Sequence, residues 1–127
     1  MMSKQAERRR VRILLSELPA PHPLDRRNGE LAVYLVADID VHDAETYADY
    51  SRLAQATFEG YGQVTYLVRG GEVEVLEGDW QPKRFFVIRF EDREKAMAWY
   101  RSQPYQEVMK VRLASSTSNL FMVAGVD

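Results

Sequence analysis

The amino-acid sequence predicts an α+β fold of the ferredoxin-like type, β-α-β-β-α-β, built on a four-stranded antiparallel sheet. Two segments with aromatic side chains at helical spacing alternate with short runs that are rich in β-branched and aromatic residues. Glycines and prolines separate these segments. With right-handed crossovers, this order of elements gives one sheet with its helices on one face.

The composition narrows the class of protein. The length of 127 residues fits one domain, and the absence of cysteine excludes disulfides, thiolate metal sites and a cysteine nucleophile. The formal net charge of -2 disfavours binding to nucleic acid, which requires a cationic surface. No stretch approaches the ~20 apolar residues of a membrane span. We therefore predict a cytoplasmic protein that binds neither nucleic acid nor membrane.

Residues 1–30 differ from the rest of the chain, and we predict that they form an N-terminal arm before a domain that spans residues 31–127. Arginines and aliphatic residues between positions 8 and 18 are compatible with a short helix, for which Ser3 is a candidate N-cap. Three prolines at positions 19, 21 and 23 then end it. Four interpretations stay open: a loosely held tail, coding sequence ahead of the true start, a helix that docks on a partner subunit, or a contact with nucleic acid.

Strand and helix signals divide the remaining chain. The predicted strands are Leu31–Ile39, Gln63–Arg69, Lys83–Phe90 and Asn119–Ala124. Gly70-Gly71 is a turn signal, so Glu72–Glu77 is predicted to be an extra hairpin leg. Helices are predicted from Ala44 to about Glu59 after an Asp43 cap, after Asp92, and after Ser102 with Pro104 in the first turn.

One sheet face is predicted to lack a cover. Helices can cover only one side of such a sheet, yet both faces of the strand Lys83–Phe90 carry apolar side chains. An uncovered apolar face requires a partner. The simplest partner is a second copy, so we predict a homodimer formed through the sheet faces.

Several residues together resemble the family called domain of unknown function 1330. The resemblance covers about Leu31 to Val126, and the run Arg69–Trp80 makes it specific. The residues that carry it are Asp43, Tyr47, Tyr50, Tyr61-Gly62, Arg69–Trp80, Pro82, Arg84, Phe90, Trp99-Tyr100, Ser102, Tyr105 and Arg112. The sequence departs from the family at Gln63, where a second glycine is frequent, and at Ala44, where proline is frequent. Both departures affect structural positions.

This resemblance implies a dimeric α/β barrel in which two ferredoxin-like protomers pack their sheets together. It also implies relatives among small cofactor-free monooxygenases, isomerases and stress-response proteins. It supplies no substrate. We predict no cofactor and no metal.

Arg112 is the most unusual residue of the predicted third helix. Tyr105, Val108 and Arg112 have the spacing of one helix face, so the arginine lies on an apolar stripe. A buried charge requires a carboxylate or another anion. The arginine is either part of a structural ion pair or a ligand anchor in a cavity between helix and sheet.

Arg69 and Arg84 form a second cationic set at neighbouring strand ends. Arginine is suited to bidentate recognition of a carboxylate. Glu77 is a candidate partner for either side chain. The set is therefore either a structural salt bridge or a site for the carboxylate of a substrate.

Asp38, Asp40 and His42 alternate at the end of the first strand and would point the same way if extended. Histidine is suited to proton transfer near neutral pH. The alternative is a polar strand end that leads into a helix cap. The aromatic residues Tyr47, Tyr50, Trp80, Trp99 and Tyr105 are either core residues or the lining of a small-molecule pocket.

Two functional hypotheses follow. The first is a cofactor-free dimeric enzyme, monooxygenase-like or isomerase-like, that acts on a small anionic or phenolic molecule. The second is a non-catalytic dimer that binds a metabolite or serves as a structural module. In the first hypothesis proton transfer is assigned to His42, Asp40 and Tyr50. Ligand binding is assigned to Arg69, Arg84, Arg112, Tyr47, Tyr105, Glu77 and Trp80.

Overall fold

The computed structural model describes residues 31–126. The predicted arm, with its Ser3-capped helix, lies outside the described residues. Within residues 31–126, no helix is long and apolar enough to cross a membrane.

Four antiparallel strands form one sheet in the order β2-β3-β1-β4, and the predicted ferredoxin-like fold is confirmed. The strands are β1 Val33–Val41, β2 Thr65–Gly71, β3 Arg84–Phe90 and β4 Ser116–Ala124. The helices are α1 Ala44–Ala56, α2 Arg93–Arg101 and α3 Gln103–Ser115. Both crossovers, one through α1 and one through α2 and α3, place their helices on the same face of the sheet, as the shared core shows.

Side-chain caps fix where the helices begin. Asp43 Oδ1 accepts a hydrogen bond from Thr46 N at 3.1 Å, and Asp92 Oδ1 accepts one from Lys95 N at 2.8 Å. Ser102 Oγ caps α3, which carries Pro104 in its first turn, as predicted. Helix α1 ends at Ala56 rather than Glu59, because the chain turns after Thr57, whose hydroxyl donates to Ala54 O at 2.6 Å.

The predicted extra hairpin leg is wrong. Residues 72–77 form no strand, and β2 continues through Gly70 to Gly71 without reversing. Gly70 has a left-handed conformation, with φ of 68°. It lies at a β-bulge between β2 and β3 and not in a tight turn. Strand β3 takes the antiparallel position beside β2 that the predicted leg would have taken.

Strand β4 begins at Ser116, earlier than the predicted Asn119, because α3 runs directly into it. The Ser115 hydroxyl donates to Val111 O and the Ser116 hydroxyl to Arg112 O, at 2.7 and 2.6 Å. Ser115 O accepts the backbone amides of His42 and Asp43 at 3.0 and 3.1 Å. This junction ties the end of α3 to the start of α1.

The core lies between the helices and one face of the sheet. Trp99 and Phe90 are fully buried, with ring centroids 5.3 Å apart. The indole of Trp99 donates to Thr57 Oγ1 at 2.8 Å, so its polar atom is satisfied inside the core. Phe86, Ile88 and Phe90 of β3 are buried on this face of the sheet.

The opposite face of the sheet, which we call the open face, is apolar and partly exposed. Val36 of β1 lies between Val87 of β3 and Phe121 of β4 in the strand register. Phe121 and Val123 are about half exposed, at 52% and 49%. The residues that the structure describes place no helix over this face.

Candidate functional site

A groove of about 440 Å³ runs along α1 beside the ends of three strands, and we call it the cationic groove. Helix α1 forms one wall, while Arg69 of β2 and Arg84 of β3 form the other. The residues that line it are Val41, Ala44, Tyr47, Ala48, Ser51, Arg52, Gln55, Arg69 and Arg84. Arg69 and Arg84, which the sequence groups as one cationic set, and Tyr47, a predicted ligand-binding residue, thus lie on one surface.

A β-bulge brings Arg69 to this surface. Tyr66 pairs with Ile88 and Arg69 pairs with Phe86, so Tyr66 and Arg69 lie on the helix face although three positions separate them. In a regular strand an odd separation places two side chains on opposite faces. Leu67 is the extra, unpaired residue of the bulge, and it returns the side chain of Arg69 to the same face as that of Tyr66. The Arg69 guanidinium lies 4.6 Å from the centre of the Tyr66 ring.

Arg84 is held by aromatic rings and a glycine. Its guanidinium carbon lies 5.4 Å from the ring centre of Tyr47 and 5.8 Å from that of Phe86. A Cβ at Gly70 would lie 3.4 Å from Arg84 Nε, so the missing side chain leaves room for the arginine. The packing orients the guanidinium without neutralising it.

Of the three arginines that line the groove, only Arg52 forms an ion pair with a carboxylate of the described residues. Arg52 pairs with Asp49 at 3.2 Å, and Arg69 donates to the neutral Gln55 Oε1 at 3.2 Å. Among residues 31–126, no carboxylate forms an ion pair with Arg69 or Arg84. The exposed Glu77 is therefore not their structural partner in this part of the chain.

A second cluster, the interior cluster, consists of Tyr50, Tyr105, Arg112 and Ser118. The hydroxyls of Tyr50 and Tyr105 are 2.8 Å apart, and the Arg112 guanidinium lies 5.9 Å from the ring centre of Tyr50. Arg112 donates through Nη1 to Ser118 Oγ on β4. Helix α1, helix α3 and the sheet edge thus meet at one polar group of residues.

Arg112 is buried, at 3% exposure, as the helix spacing predicted. Within the described residues, no carboxylate lies at ion-pair distance from it, and its Nε has no hydrogen-bond acceptor. The interpretation of Arg112 as part of a structural ion pair therefore finds no partner in residues 31–126.

Three tyrosines near Arg69, Arg84 and Arg112, namely Tyr47, Tyr50 and Tyr66, stay protonated at neutral pH. Burial raises the pKa of Tyr50, and the neighbouring Tyr105 adds to the rise. Burial also raises the pKa of Tyr47 and of Tyr66 above the usual value. These hydroxyls can donate hydrogen bonds or a proton, but they are poor bases.

A small cavity of about 30 Å³ separates α1 from the sheet beneath Tyr47 and Tyr50. A cavity needs roughly 10–15 Å³ to hold one water molecule, so this cavity admits a water or a monatomic ion. Organic ligands occupy pockets of about 300–1,000 Å³. In this conformation only the cationic groove, of the two, is large enough for an organic ligand.

Asp38, Asp40 and His42 do not join either cluster. Asp38 and Asp40 alternate with the buried Ala37 and Ile39, so they lie on the open-face side of β1, and His42 follows the strand as an exposed residue. Asp38 accepts hydrogen bonds from Trp80 Nε1 at 2.9 Å and Lys83 N at 2.8 Å. Among the described residues, no group of three or more His, Cys, Asp or Glu side chains could hold a metal ion.

Trp80 also lies away from the groove. Its ring packs edge-on against Phe85 with centroids 6.2 Å apart, and Phe85 belongs to the open face. Asp38 and Phe85 thereby fasten residues 80–83 to that side of the sheet. Of the predicted ligand-binding residues, Arg69, Arg84 and Tyr47 meet in the groove, while Arg112 and Tyr105 meet in the interior cluster.

Residues 32–126 match the family Domain of unknown function (DUF1330), which confirms the resemblance seen in the sequence. The chain belongs to this family. The DUF1330 domain thus includes both the cationic groove and the interior cluster. No curated protein sequence matches the chain.

Solved structures share the fold of this DUF1330 domain at low sequence identity. A protein of unknown function from Rhodopseudomonas palustris has a TM-score of 0.64 and 20% identity, over 80% of this chain and 85% of the other. SnoaB, a cofactor-independent oxygenase from Streptomyces nogalater, has a TM-score of 0.52 and 18% identity, over 75% and 93%. A protein of unknown function from Bacteroides thetaiotaomicron has a TM-score of 0.51 and 10% identity, over 76% and 99%.

Sequence reasoning missed several residues that build the two sites of the DUF1330 domain. Gln55 and Ser51 line the groove, and Tyr66 supports Arg69. Helical spacing carries a signal for Ser51 and Gln55, because they lie four and eight positions after Tyr47. Tyr66 and Ser118 carry no such signal, since a bulge and a strand register determine where they lie.

Proposed function

We propose that this DUF1330 domain is a cofactor-free enzyme, monooxygenase-like or isomerase-like, that acts on a small anionic or phenolic molecule in the cationic groove. The observation that carries the proposal is the pair Arg69 and Arg84. Both guanidinium groups are oriented by aromatic rings, and no carboxylate of residues 31–126 neutralises them. The fold likeness to a cofactor-independent oxygenase gives the reaction class as an analogy.

In this proposal the arginines bind the anionic group of the substrate. A planar guanidinium donates two parallel hydrogen bonds to a carboxylate, and such charge-assisted bonds are stronger than neutral ones. Tyr47, which lies beside Arg84, offers a ring face to an aromatic substrate. Gln55 and Ser51 supply further polar contacts along α1.

Tyr50 is the candidate for proton transfer, and it lines the small cavity beneath the groove residue Tyr47 rather than the groove itself. Its ring centre is 5.5 Å from that of Tyr47, and its hydroxyl belongs to the hydrogen-bonded pair with Tyr105. Because burial raises the pKa of Tyr50, its hydroxyl holds its proton firmly, and it would donate first a hydrogen bond, and then the proton, only to an oxyanion that becomes at least as basic as the phenolate. Asp40 lies on the open-face side of β1, and His42 is an exposed residue between the groove-lining Val41 and Ala44, so neither side chain is part of the groove wall.

We further propose that the domain works as a homodimer through the open face. Val36, Val87 and Phe121 form an apolar row there, and an exposed apolar row favours a self-complementary partner. The cationic groove lies on the helix side, so each copy would keep its own groove.

Binding of simple aromatic probes tests the groove. We expect benzoate to bind wild-type protein more tightly than phenol, and benzylamine not to bind, in ligand-observed NMR titrations. Arg84→Met and Arg69→Met should each weaken benzoate binding by about 10- to 100-fold, the size expected for a lost charge-assisted hydrogen bond. Arg93→Gln removes an equal charge at the exposed start of α2 and should leave binding unchanged. Equal binding in all variants would exclude the groove as the site.

A second candidate function is a non-catalytic binding dimer. It is favoured by one observation: among the described residues, no histidine and no carboxylate belongs to the lining of the groove. Oxygen consumption and deuterium exchange with phenolic acids separate the two functions. Binding without either reaction supports the binding module, whereas a Tyr50→Phe variant that binds normally but reacts slowly supports the enzyme.

A further inference from the structure

The positive charge of the buried Arg112 has no negatively charged partner among residues 31–126. Arginine stays protonated in proteins, so the guanidinium carries a full positive charge at 3% exposure. A charge removed from water is destabilising unless a counter-charge replaces the water. No carboxylate of residues 31–126 forms an ion pair with this side chain.

The interior cluster also has more hydrogen-bond donors than acceptors. Arg112 Nη1 donates to Ser118 Oγ, but Nε has no acceptor. In the Tyr50–Tyr105 pair one hydroxyl donates to the other, which leaves one phenolic hydrogen for a third group. A positive charge with unused N–H and O–H donors is the environment that an anion prefers.

The adjoining cavity limits the size of that anion. Its volume is about 30 Å³, and Tyr50 and Tyr105 form part of its wall, whereas Arg112 is not part of the wall and has its guanidinium 5.9 Å from the Tyr50 ring centre. The rest of the wall is largely apolar, including Ile39, Phe86 and Leu120. Leu120 lies on the same face of β4 as Ser118, the acceptor of Arg112. An organic carboxylate exceeds this volume, whereas a monatomic anion does not.

We propose that the DUF1330 domain holds a halide-sized monovalent anion in this cavity, hydrogen-bonded by the tyrosine pair and neutralising Arg112. The site is distinct from the cationic groove, whose arginines are exposed and solvated. Its ligands come from α1 and α3, and Arg112 is hydrogen-bonded to Ser118 of β4, so a bound anion stabilises the packing of both crossover helices on the sheet. The largely apolar walls favour chloride and bromide over fluoride, because a smaller ion loses more hydration energy on burial.

Thermal unfolding of the full-length protein tests the proposal. The salt is sodium gluconate, whose anion is too large for the cavity, and chloride or bromide replaces it at constant ionic strength. We expect the melting temperature to rise with the logarithm of the chloride concentration once chloride exceeds its dissociation constant, by roughly 5 °C at a tenfold excess. Fluoride should give a smaller rise. An identical melting temperature in gluconate and chloride would overturn the proposal.

Variants locate the effect. Arg112→Met should abolish the chloride response, and Arg93→Gln, which removes a charge at the exposed start of α2, should keep it. If Arg112→Met does not fold, Tyr105→Phe provides the second test, and we expect it to weaken chloride binding several-fold in ³⁵Cl line-width measurements. A full response in either variant contradicts the assignment. Arg84→Met should lose benzoate binding and keep the chloride response, so the two proposals can fail separately.

Discussion

The two faces of the sheet carry similar apolar side chains, but these side chains differ in their exposure to solvent. On the helix face, Phe90 is fully buried against Trp99 and Phe58. On the open face, Phe121 is 52% exposed beside Val36. The same residue type thus serves the core of one protomer on one side and is available to a second molecule on the other. The presence of a phenylalanine in a strand therefore does not show whether that position faces the core or an interface.

The largest expected effect comes from the helix face. Phe90→Ala should lower the free energy of unfolding by about 3–5 kcal/mol, because it removes buried area and leaves a cavity among Phe58 and Trp99. Phe121→Ala is the matched change on the open face. It should cost less than about 1.5 kcal/mol in urea denaturation of the monomeric protein, since half of the ring already contacts solvent. Equal losses would show that the two faces are equally buried in a single copy.

The next largest effect is on dimerisation, which we expect to depend on the open face and not on the helices. Phe121→Asp should weaken the proposed dimer by more than about tenfold in sedimentation velocity, because it places a charge in the apolar row. Leu113→Asp is the control, since Leu113 is exposed to a similar degree, 57%, but lies on α3. A wild-type protein that stays monomeric at micromolar concentration would refute the dimer.

A smaller effect on stability is expected from the two tyrosines of the interior cluster. Tyr50→Phe and Tyr105→Phe should each lower the free energy of unfolding by about 1 kcal/mol, because each removes the same hydroxyl pair. The double variant should cost scarcely more than either single one, which a double-mutant cycle measures. Additive losses would mean that the two hydroxyls do not depend on each other.

The smallest effect depends on pH and lies at the start of α1. The Thr46 hydroxyl and amide hold the pKa of the exposed Asp43 carboxyl below its ordinary value of 3.8. A depressed folded-state pKa gives stability that is present above 3.8 and is lost as the pH falls through the lower folded-state value. Asp43→Asn should therefore flatten the acid limb of the stability curve, measured by melting temperature. An unchanged acid limb would exclude this carboxylate as a contributor.

Most of the fold could be predicted because its signals are local. The run of β-branched and aromatic residues predicts the strand Lys83–Phe90, observed as Arg84–Phe90, and Asp43 and Asp92 mark helix starts through their own hydrogen bonds. The hairpin leg after Gly71 could not be judged locally. The same glycine pair suits a turn or a bulge, and the pairing with β3 decided between them.

The candidate site was predictable only in part. Helix spacing correctly predicted the burial of Arg112 beside Tyr105. It could not show that the buried guanidinium lacks a carboxylate within residues 31–126, because that depends on every element packed around it. Asp40 was grouped with Tyr50 from sequence alone, yet strand alternation and the side of the crossover place them on different faces.

The extra residue at Leu67 has an evolutionary consequence. Because it alone keeps Arg69 in phase with Tyr66, loss of a single codon here would restore regular alternation and transfer the guanidinium to the other side of the sheet. The groove would lose one of its two unpaired cations, and the face proposed for dimerisation would gain a charge. One in-frame deletion could therefore exchange a ligand-binding trait for a change in assembly, without any substitution in the rest of the domain.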